Sequence, residues 1–333
     1  MSDASRPSAT PRVSFVIPVR NDPVRLKNCL ATIAKCDYPG THVELVVADN
    51  GSIDDTPAVA AAAGAHVLSL PGIAVGEMRN RAAKTASGDV LAFVDADHEL
   101  GPGWIKAAIA TLQLPGVSAA GAPYLQPPNA TWVQRCYDSF RDHSDGVFDT
   151  PWLGSGNLAI WRQTFLDAGG FDTTLETCED VDLCQRLRRL GHTLKSDSRM
   201  HSVHMGDPKT LRAIFWGELW RGRDNLRVSF RGPMTPRDLP SVVIPVLTLL
   251  LLAVAAGSLG AWPWIGRNAG AVALAALAGC AGLSALRALR MLRRLRGGGP
   301  LDIVRAWLVA AAYDLGRALS LVIRVRHGVR RRG

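Results

Sequence analysis

The sequence predicts an α/β domain built on a mostly parallel sheet, followed by a strongly apolar helical portion. Short apolar runs typical of buried strands alternate with helical patterns through the first two thirds of the chain, which predicts βαβ units. Residues 239–266 then contain no charged side chain, which predicts a change of environment. The 333 residues suffice for one large domain and a smaller one.

Each element of the domain has its own signal in the sequence. Apolar, β-rich runs predict strands at 13–17, 43–48, 66–70, 91–97, 117–122 and 158–161. Helices are predicted after Asp22-Pro23, after Asp54-Asp55, over 76–86, over 102–112 and from Cys178 to Gly191. The region 124–151 is irregular, with a possible helix near 131–140.

One strand runs directly into two carboxylates, Asp95 and Asp97. In an extended chain, residues i and i+2 project to the same side, so both carboxylates are expected to leave the sheet together. Open α/β sheets bind ligands at this edge, and paired carboxylates suit a Mg²⁺ or Mn²⁺ ion that also holds phosphate oxygens. Because a D-x-D alone also occurs in solvated turns, the neighbouring motifs decide between the two interpretations.

The net charge of +9 is concentrated near the apolar portion. The clustered arginines are Arg287, Arg290, Arg293, Arg294 and Arg296, and in the tail Arg324, Arg326, Arg330, Arg331 and Arg332. Arginine clusters beside apolar spans indicate a cytosolic membrane flank, and no recognised motif supports nucleic acid as a partner. The six cysteines lack metal-ligand spacing, which predicts free thiols in a reducing compartment.

The apolar portion predicts two transmembrane helices within 239–286, separated by Trp262 and Trp264 as interfacial aromatics. A buried helical hairpin in a soluble domain is the alternative. Over 301–323, one helical side collects polar residues, which predicts an amphipathic helix lying on the membrane. That side comprises Asp302, Arg305, Arg317, Ser320 and Arg324.

The predicted organisation is a disordered tail (1–11), an α/β domain (12–231), two spans (239–286) and a basic loop, amphipathic helix and tail (287–333). The N-terminus lacks the apolar core of a signal peptide. Together with the positive-inside rule, this predicts a multi-pass protein of the inner membrane whose α/β domain is cytosolic.

Seven segments, in order, carry a resemblance to a known family. They are I-P-V-R-N at 17–21, V-V-A-D-N-G-S at 46–52, G-E-M-R-N-R-A-A at 76–83, D-V-L-A-F-V-D-A-D at 89–97, G-S-G-N-L-A-I at 154–160, G-G-F-D at 169–172 and E-D-V-D-L-C-Q-R-L at 179–187, followed by His204. From Val13 to about Arg231, the chain resembles the family 2 glycosyltransferases, whose catalytic domain has the GT-A fold.

The resemblance assigns donor-side roles. Asp49 would read the nucleotide base, with Pro18 beside it, although an Asx-turn would use the same residue. The fork of Arg79 could bind a carboxylate or a phosphate, or could be an ordinary surface arginine. Asp95 and Asp97 would hold the Mn²⁺ or Mg²⁺ ion and, through it, the donor diphosphate, with Asp95 also near the ribose.

It also assigns roles on the acceptor side and to a third metal ligand. Asp180 would be the catalytic base that takes the proton of the acceptor hydroxyl, giving single displacement with inversion. Glu179 would help to hold the acceptor, although acidic residues at a helix start also complement the helix dipole. His204 would complete the metal shell, and His201 competes with it for that place.

The resemblance therefore implies an inverting glycosyltransferase that uses a nucleotide-sugar donor, with a UDP-sugar favoured, and a lipid-linked or growing glycan acceptor. A sugar-phosphate nucleotidyltransferase is one alternative, but the first strand lacks the Gly-rich phosphate loop of that class. A catalytically inactive membrane scaffold is another. A polysaccharide-extruding synthase would need more spans and a Q-x-x-R-W motif, which the sequence lacks.

Overall fold

The computed structural model describes residues 10–232, 239–295 and 299–324. The chain divides into two compact units, one formed by 1–127 and 141–206, the other by 128–140 and 207–333. The predicted disordered tail lies outside the described residues except for its last two. Arg296, Arg326, Arg330, Arg331 and Arg332 of the basic clusters lie outside them as well.

The first unit is built on a mixed sheet. Its strands are β1 (Val13–Val19), β2 (Val43–Asp49), β3 (His66–Ser69), β4 (Val90–Val94), β5 (His98–Leu100), β6 (Val117–Gly121), β7 (Val147–Asp149), β8 (Asn157–Trp161), β9 (Thr193–Asp197) and β10 (Ser202–His204). Within the described residues, eight of them form one sheet in the order β3-β2-β1-β4-β8-β6-β9-β7. This architecture, followed by C-terminal helices, confirms the predicted fold class.

The parallel half of the sheet follows from the apolar runs. β1 lies between β2 and β4 and runs parallel to both, and all five residues of β4 are buried. Strands covered on both faces are typically continuous apolar runs, as here. The register pairs Val19 with Asp49, so the carboxyl ends of β1 and β2 meet at one edge of the sheet.

Helices cover both faces of this sheet. They are α1 (Pro23–Ala34), α2 (Thr56–Ala62), α3 (Val75–Thr85), α4 (Trp104–Leu112), α6 (Arg162–Asp167) and α7 (Glu179–Arg189), with α5 (Trp132–Asp138) in the second unit. Phe15 and Ile17 pack into the core with α1 and α4, whereas Val16 packs with α3 and α7. The alternation of side chains along β1 therefore supplies both cores.

β8 runs antiparallel between β4 and β6. Its first residue, Asn157, pairs with Val94, the last residue of β4, so the loop before β8 lies at the carboxyl end of β4. The buried side chain of Asn157 accepts a hydrogen bond from the Trp104 indole (2.6 Å) and donates to the carbonyl oxygens of Ala122 and Met200. This network fixes the start of β8 and therefore the loop that precedes it.

The second unit is helical. Besides α5 it contains α8 (Leu211–Arg221), α9 (Asn225–Ser229), α10 (Leu239–Gly260), α11 (Trp262–Ile265), α12 (Arg267–Leu292) and α13 (Pro300–Leu319). α10 and α12 pack together through Leu251, Ala255, Ala273 and Ala276. Both are long and apolar enough to cross a membrane, which is weak support for membrane association.

Helix α13 has the polar side that the sequence predicts, but part of this side is buried. Arg317 pairs with Glu218 of α8 at 2.7 Å, and Ser320 is buried beside Gly222. The exposed side chains of α13 include apolar ones, among them Leu301 and Val304. Part of this polar side therefore supplies an ion pair within the helical unit, and the position of the helix on a membrane stays a prediction.

Residues 207–231 were predicted to belong to the α/β domain, but they pack with the C-terminal helices. Glu218 is fully buried there and accepts hydrogen bonds from Tyr137, Arg221 and Arg317. A carboxylate that is buried needs such partners. By packing, the boundary between the units therefore falls at residue 206 rather than at residue 231.

Candidate active site

Asp49 ends β2 at the carboxyl edge of the sheet, and its side chain is almost fully buried. Its Oδ2 accepts a hydrogen bond from the Ser52 backbone N–H at 3.0 Å, whereas its buried Oδ1 has no partner. Pro18 lies in register with Ala48, one residue before Asp49. A buried acceptor without a donor is costly in an isolated protein, so this oxygen is suited to an N–H group of a ligand.

The turn after β1 is locked to the turn after β2. Asn21 adopts a left-handed conformation (φ 50°), and its Oδ1 accepts a hydrogen bond from Ile53 N at 2.9 Å. Its own N–H donates to Ser52 Oγ at 2.8 Å. Because Ser52 also donates to Asp49, these bonds hold the two turns and the Asp49 carboxylate together.

Asp95 and Asp97 follow β4 in a turn rather than in an extended strand. β4 ends at Val94, and the chain then turns, with His98 N donating to Asp95 O at 3.0 Å. Asp95 Oδ1 accepts from Arg79 at 2.6 Å, whereas Asp97 Oδ2 lies 3.3 Å from His204 Nε2. The extended-chain argument does not apply to this turn, so a shared role of the two carboxylates at one ion stays a prediction.

Asp97 belongs instead to a group with two histidines. Among the described residues, Asp97, His98 and His204 offer ligand atoms that all lie within 4.8 Å of one another. The antiparallel pair β5–β10 places His98 directly opposite His204, and the Tyr124 ring packs against both. His98 Nδ1 lies 3.0 Å from Ser202 Oγ, a contact that orients the ring.

At Gly156 and Gly206 the backbone lies so close to these ligand atoms that a Cβ would not fit. A Cβ at Gly156 would lie 2.7 Å from Asp95 Oδ2 and 3.2 Å from His98 Nε2. A Cβ at Gly206 would overlap Asp97 Oδ2 and lie 2.9 Å from His204 Nε2. A cradle of backbone around one carboxylate and two imidazoles fits a divalent cation, and the nitrogen donors fit Mn²⁺ better than Mg²⁺.

The charges of this group are also those of a metal site. Burial alone would raise the pKa of Asp97, but the hydrogen bond and charge of His204 outweigh it and hold the pKa well below its usual range. Burial, together with the nearby His204, lowers the pKa of His98 to about 4. Asp97 is therefore ionised and His98 neutral at pH 7, the states in which both can bind a metal.

Arg79 links the D-x-D to the acidic pair at the start of α7. Its guanidinium is buried and donates to Asp95 Oδ1 at 2.6 Å and to Glu179 Oε1 at 2.8 Å, with the ring of Phe171 5.7 Å from its central carbon. The sequence left open whether its fork binds a carboxylate or a phosphate, or whether it is an ordinary surface arginine. In this structure it binds two carboxylates.

Glu179 and Asp180 open α7 directly after Cys178, a non-glycine residue with φ 62°. Such a conformation is uncommon and often marks a functional turn. Asp180 accepts hydrogen bonds from its neighbour Val181 N at 2.8 Å and from Ser155 N at 3.3 Å, and it is only partly buried. Glu179 is more buried, and Arg79 and Ser155 Oγ (3.4 Å) hold it.

Both carboxyl groups of this pair bind protons more tightly than usual. Burial and the negative charge of Asp180 raise the pKa of Glu179 to about 7, although Arg79 opposes the shift. Burial also raises the pKa of Asp180, against the two backbone N–H donors. A carboxylate whose pKa is raised toward the working pH is better suited to accept a proton in a reaction.

The loop 154–156 joins the two acidic centres. Ser155 contacts both Glu179 and Asp180, and the next residue, Gly156, lies beside Asp95. The G-S-G sequence was noticed as part of a motif, but no role was predicted for Ser155. His98 was missed as well; its position directly after Asp97 was the only signal, and burial in a three-residue strand left no pattern to detect.

The two candidate histidines lie in different surroundings. His204 faces Asp97, whereas the ring of His201 is packed against Gly101 and borders a different cavity, with Pro123 and Ser198. The structure therefore forms two groups of predicted site residues. One contains Asp97 and His204, and the other contains Asp95, Arg79, Glu179 and Asp180. Asp49 and Pro18 stand at the ends of the neighbouring strands.

A mixed sheet of this order, followed by C-terminal helices, is that of the GT-A fold. The model of the family described as Glycosyl transferase family 2 matches residues 14–143. A glycosyltransferase named AglE from Haloferax volcanii is 29% identical over 249 residues, which are 64% of this chain and 81% of that protein. Residues 14–143 of the chain therefore resemble glycosyl transferase family 2.

Solved structures agree on the fold. The mannosyltransferase PcManGT from Pyrobaculum calidifontis, solved with GDP-Man and Mn²⁺, matches with a TM-score of 0.58 and 19% identity, covering 93% of this chain and 88% of that one. GalNAc-T7, solved with UDP, GalNAc and Mn²⁺, matches with a TM-score of 0.50 and 17% identity, covering 64% and 48%. At these identities the similarity establishes the GT-A fold.

Proposed function

We propose that this protein transfers a sugar from a nucleotide-sugar donor to a lipid-linked or glycan acceptor at the cytosolic face of a membrane, with inversion at the anomeric carbon. The observation that carries the proposal is the loop 154–156, which connects the Asp180 carboxylate to the D-x-D within three residues. A base for the acceptor hydroxyl therefore stands next to the residues that would hold the donor diphosphate.

The donor side supports a nucleotide. The unpartnered Oδ1 of Asp49 would accept the imide N–H of uracil, with Pro18 beside the base. The buried Oδ1 is the carboxylate oxygen that has no donor, and it matches the imide N–H of uracil. Relatives of this fold have been solved with GDP-Man and with UDP, so the UDP-sugar is the finer part of the proposal.

Asp97 and His204 would hold the cation, with Asp95 on the donor side of the same turn, and Mn²⁺ fits these donors better than Mg²⁺. The bound ion would neutralise charge that develops on the leaving nucleoside diphosphate. Asp95, positioned by Arg79, is suited to accept from a ribose hydroxyl. Glu179 holds Arg79 and Ser155 and so supports the acceptor side of the site.

In the reaction itself, the acceptor oxygen attacks the anomeric carbon and the bond from that carbon to the donor phosphate oxygen breaks. The Asp180 carboxylate takes the proton of the acceptor hydroxyl. The sugar inverts once, and the nucleoside diphosphate leaves with the electron pair of the broken bond. Asp180 suits this role better than Glu179, because Glu179 is held by Arg79 and is less accessible.

The test is the variant Asp180→Asn. Donor binding should be nearly normal, while turnover should fall about 100-fold or more, the scale of lost general-base catalysis. Asp167→Asn, an exposed carboxylate in the first unit, serves as the matched control. Weak donor binding with unchanged turnover would show that the base has been misassigned. Failure of the wild-type protein to release nucleoside diphosphate from any donor would favour the inactive scaffold.

A further inference from the structure

The end of α12 forms a basic cavity within the helical unit. Its volume is about 400 Å³, and its lining includes Phe140, Met291 and the four arginines Arg287, Arg290, Arg293 and Arg294. Arg287 and Arg290 lie three residues apart on one face of α12, and Arg293 and Arg294 follow directly after the helix ends at Leu292. We propose that this cavity binds the phosphate group of a membrane lipid.

The innermost arginine is held in place before any ligand binds. Arg287 Nε donates to the buried Asp314 at 2.6 Å, and Asp314 also accepts from Ser284 Oγ at 3.1 Å. The rings of Tyr313 and Phe140 lie 4.7 Å and 5.9 Å from the guanidinium. A guanidinium fixed by a carboxylate and two rings loses little freedom on binding, and its fork geometry matches phosphate oxygens.

The outer arginines distinguish this cavity from a simple ion pair. Arg290, Arg293 and Arg294 are exposed, and no carboxylate is among the residues that line the cavity. Asp314, behind Arg287, offsets the charge of that arginine, whereas Arg290 and Arg293 add positive charge to the lining. The cavity therefore has a net positive charge and a wall, formed by Phe140 and Met291, that an acyl or isoprenoid chain could contact.

The position of the cavity along α12 indicates a lipid rather than a soluble anion. A helix crosses the hydrocarbon core of a bilayer in about 20 residues. Counted from Arg267, where α12 begins, this length ends near Arg287, the first arginine of the cavity. The four arginines would then stand at the level of the lipid headgroups. This step rests on the proposed membrane attachment, and the lipid-binding experiment is independent of glycosyl transfer.

The experiment places the full-length protein in phosphatidylcholine nanodiscs that contain polyprenyl monophosphate, phosphatidylglycerol or neutral polyprenol at equal mole fraction. Bound lipid is measured by native mass spectrometry. We expect about tenfold or greater enrichment of phosphate-bearing lipids over polyprenol, the scale of one charge-assisted hydrogen bond. Preference for polyprenyl monophosphate over phosphatidylglycerol would assign the cavity to the acceptor, and equal binding would assign it to bulk anionic lipid.

Two triple variants and a control pair decide whether this cavity causes the enrichment of phosphate-bearing lipids. The triple variant Arg290→Gln, Arg293→Gln and Arg294→Gln should abolish the enrichment, whereas Arg188→Gln with Arg189→Gln, an exposed pair on α7, should retain it. Lysine at the same three positions keeps the charges that set membrane orientation but lacks the fork, so enrichment should fall while insertion is unchanged. Equal binding of polyprenol by wild type, or equal losses in the triple glutamine variant and the control pair, would overturn the proposal.

Discussion

At the scale of single residues, the two histidines near the end of the first unit provide the sharpest test of the metal site. His204 contacts Asp97, whereas His201, three residues earlier, packs against Gly101. We expect His204→Gln to weaken Mn²⁺ binding about 10- to 100-fold, the range for loss of groups that shape a metal site, and Asp97→Asn to act in the same direction.

Mn²⁺ affinity is measured by electron paramagnetic resonance on the protein without donor, so the result does not depend on turnover. His201→Gln is the matched control and should bind Mn²⁺ as the wild type does. If His201→Gln weakened binding and His204→Gln did not, the ligand assignment would have to be reversed.

The acidic pair of α7 predicts a pH dependence. The raised pKa of Asp180 means that activity should increase with pH as its carboxylate loses its proton. In Glu179→Gln the neighbouring negative charge is removed, so the pKa of Asp180 should fall and the acidic limb of the profile should move to lower pH.

The readout is kcat/KM from about pH 5 to pH 9, which reports the ionisation of the enzyme without substrate. Glu77→Gln, on the partly exposed side of α3, should leave the limb in place because that side chain pairs with Arg81 and not with the site. If the acidic limb of the pH profile also stayed at the same pH in Glu179→Gln, the two carboxylates would not interact.

At the scale of elements, the buried Arg79 ties α3 to Asp95 after β4 and to Glu179 at the start of α7. Removing one partner of a buried ion pair costs about 3–5 kcal/mol, so Arg79→Met should lower the melting temperature strongly, because Asp95 and Glu179 would both lose their cation. Arg81→Met, two residues later in the same helix, removes an exposed pair with Glu77 and should cost less than about 1 kcal/mol. Thermal unfolding followed by tryptophan fluorescence compares the two, and equal shifts would contradict the central role of Arg79.

The same elements indicate which parts of the site could be predicted from sequence. Strands such as β1 and β4 are continuous apolar runs, and Asp49, Asp97 and Asp180 follow strand ends or open a helix, so local pattern was sufficient. The antiparallel direction of β8 was not predictable in this way, because an apolar run does not reveal the direction of its neighbours.

The rest of the site depends on contacts between distant residues. Arg79 and Glu179 are 100 positions apart, and His98 meets His204 through strands of three residues. Strands of three residues are too short to show an alternation of apolar and polar side chains. A pairing between distant residues also gives no local sequence pattern. For the same reason, the turn at Asp95 was mistaken for a continuation of β4.

At the scale of the whole molecule, the packing of α8 changes how the α/β domain should be isolated. A truncation after Arg231 would follow the domain boundary that the sequence predicts. It would separate the buried Glu218 from Arg317 and leave Arg221 as its remaining cationic partner. Removal of one cation from a buried carboxylate is destabilising, so the full-length chain is the better material for tests of membrane association.

We expect the full-length chain to fractionate with membranes and to resist extraction by high salt. α10 and α12 expose many large apolar side chains, and spanning helices do not depend on charge as a peripheral basic surface does.

The arginines at the end of α12 predict that this end is cytosolic. In sealed right-side-out vesicles, a label added outside should therefore reach a cysteine placed at Trp264 and should not reach one placed at Leu190, an exposed position in the first unit. Release of the protein by salt alone would show that α10 and α12 do not span a bilayer, and labelling at position 190 from outside would reverse the orientation.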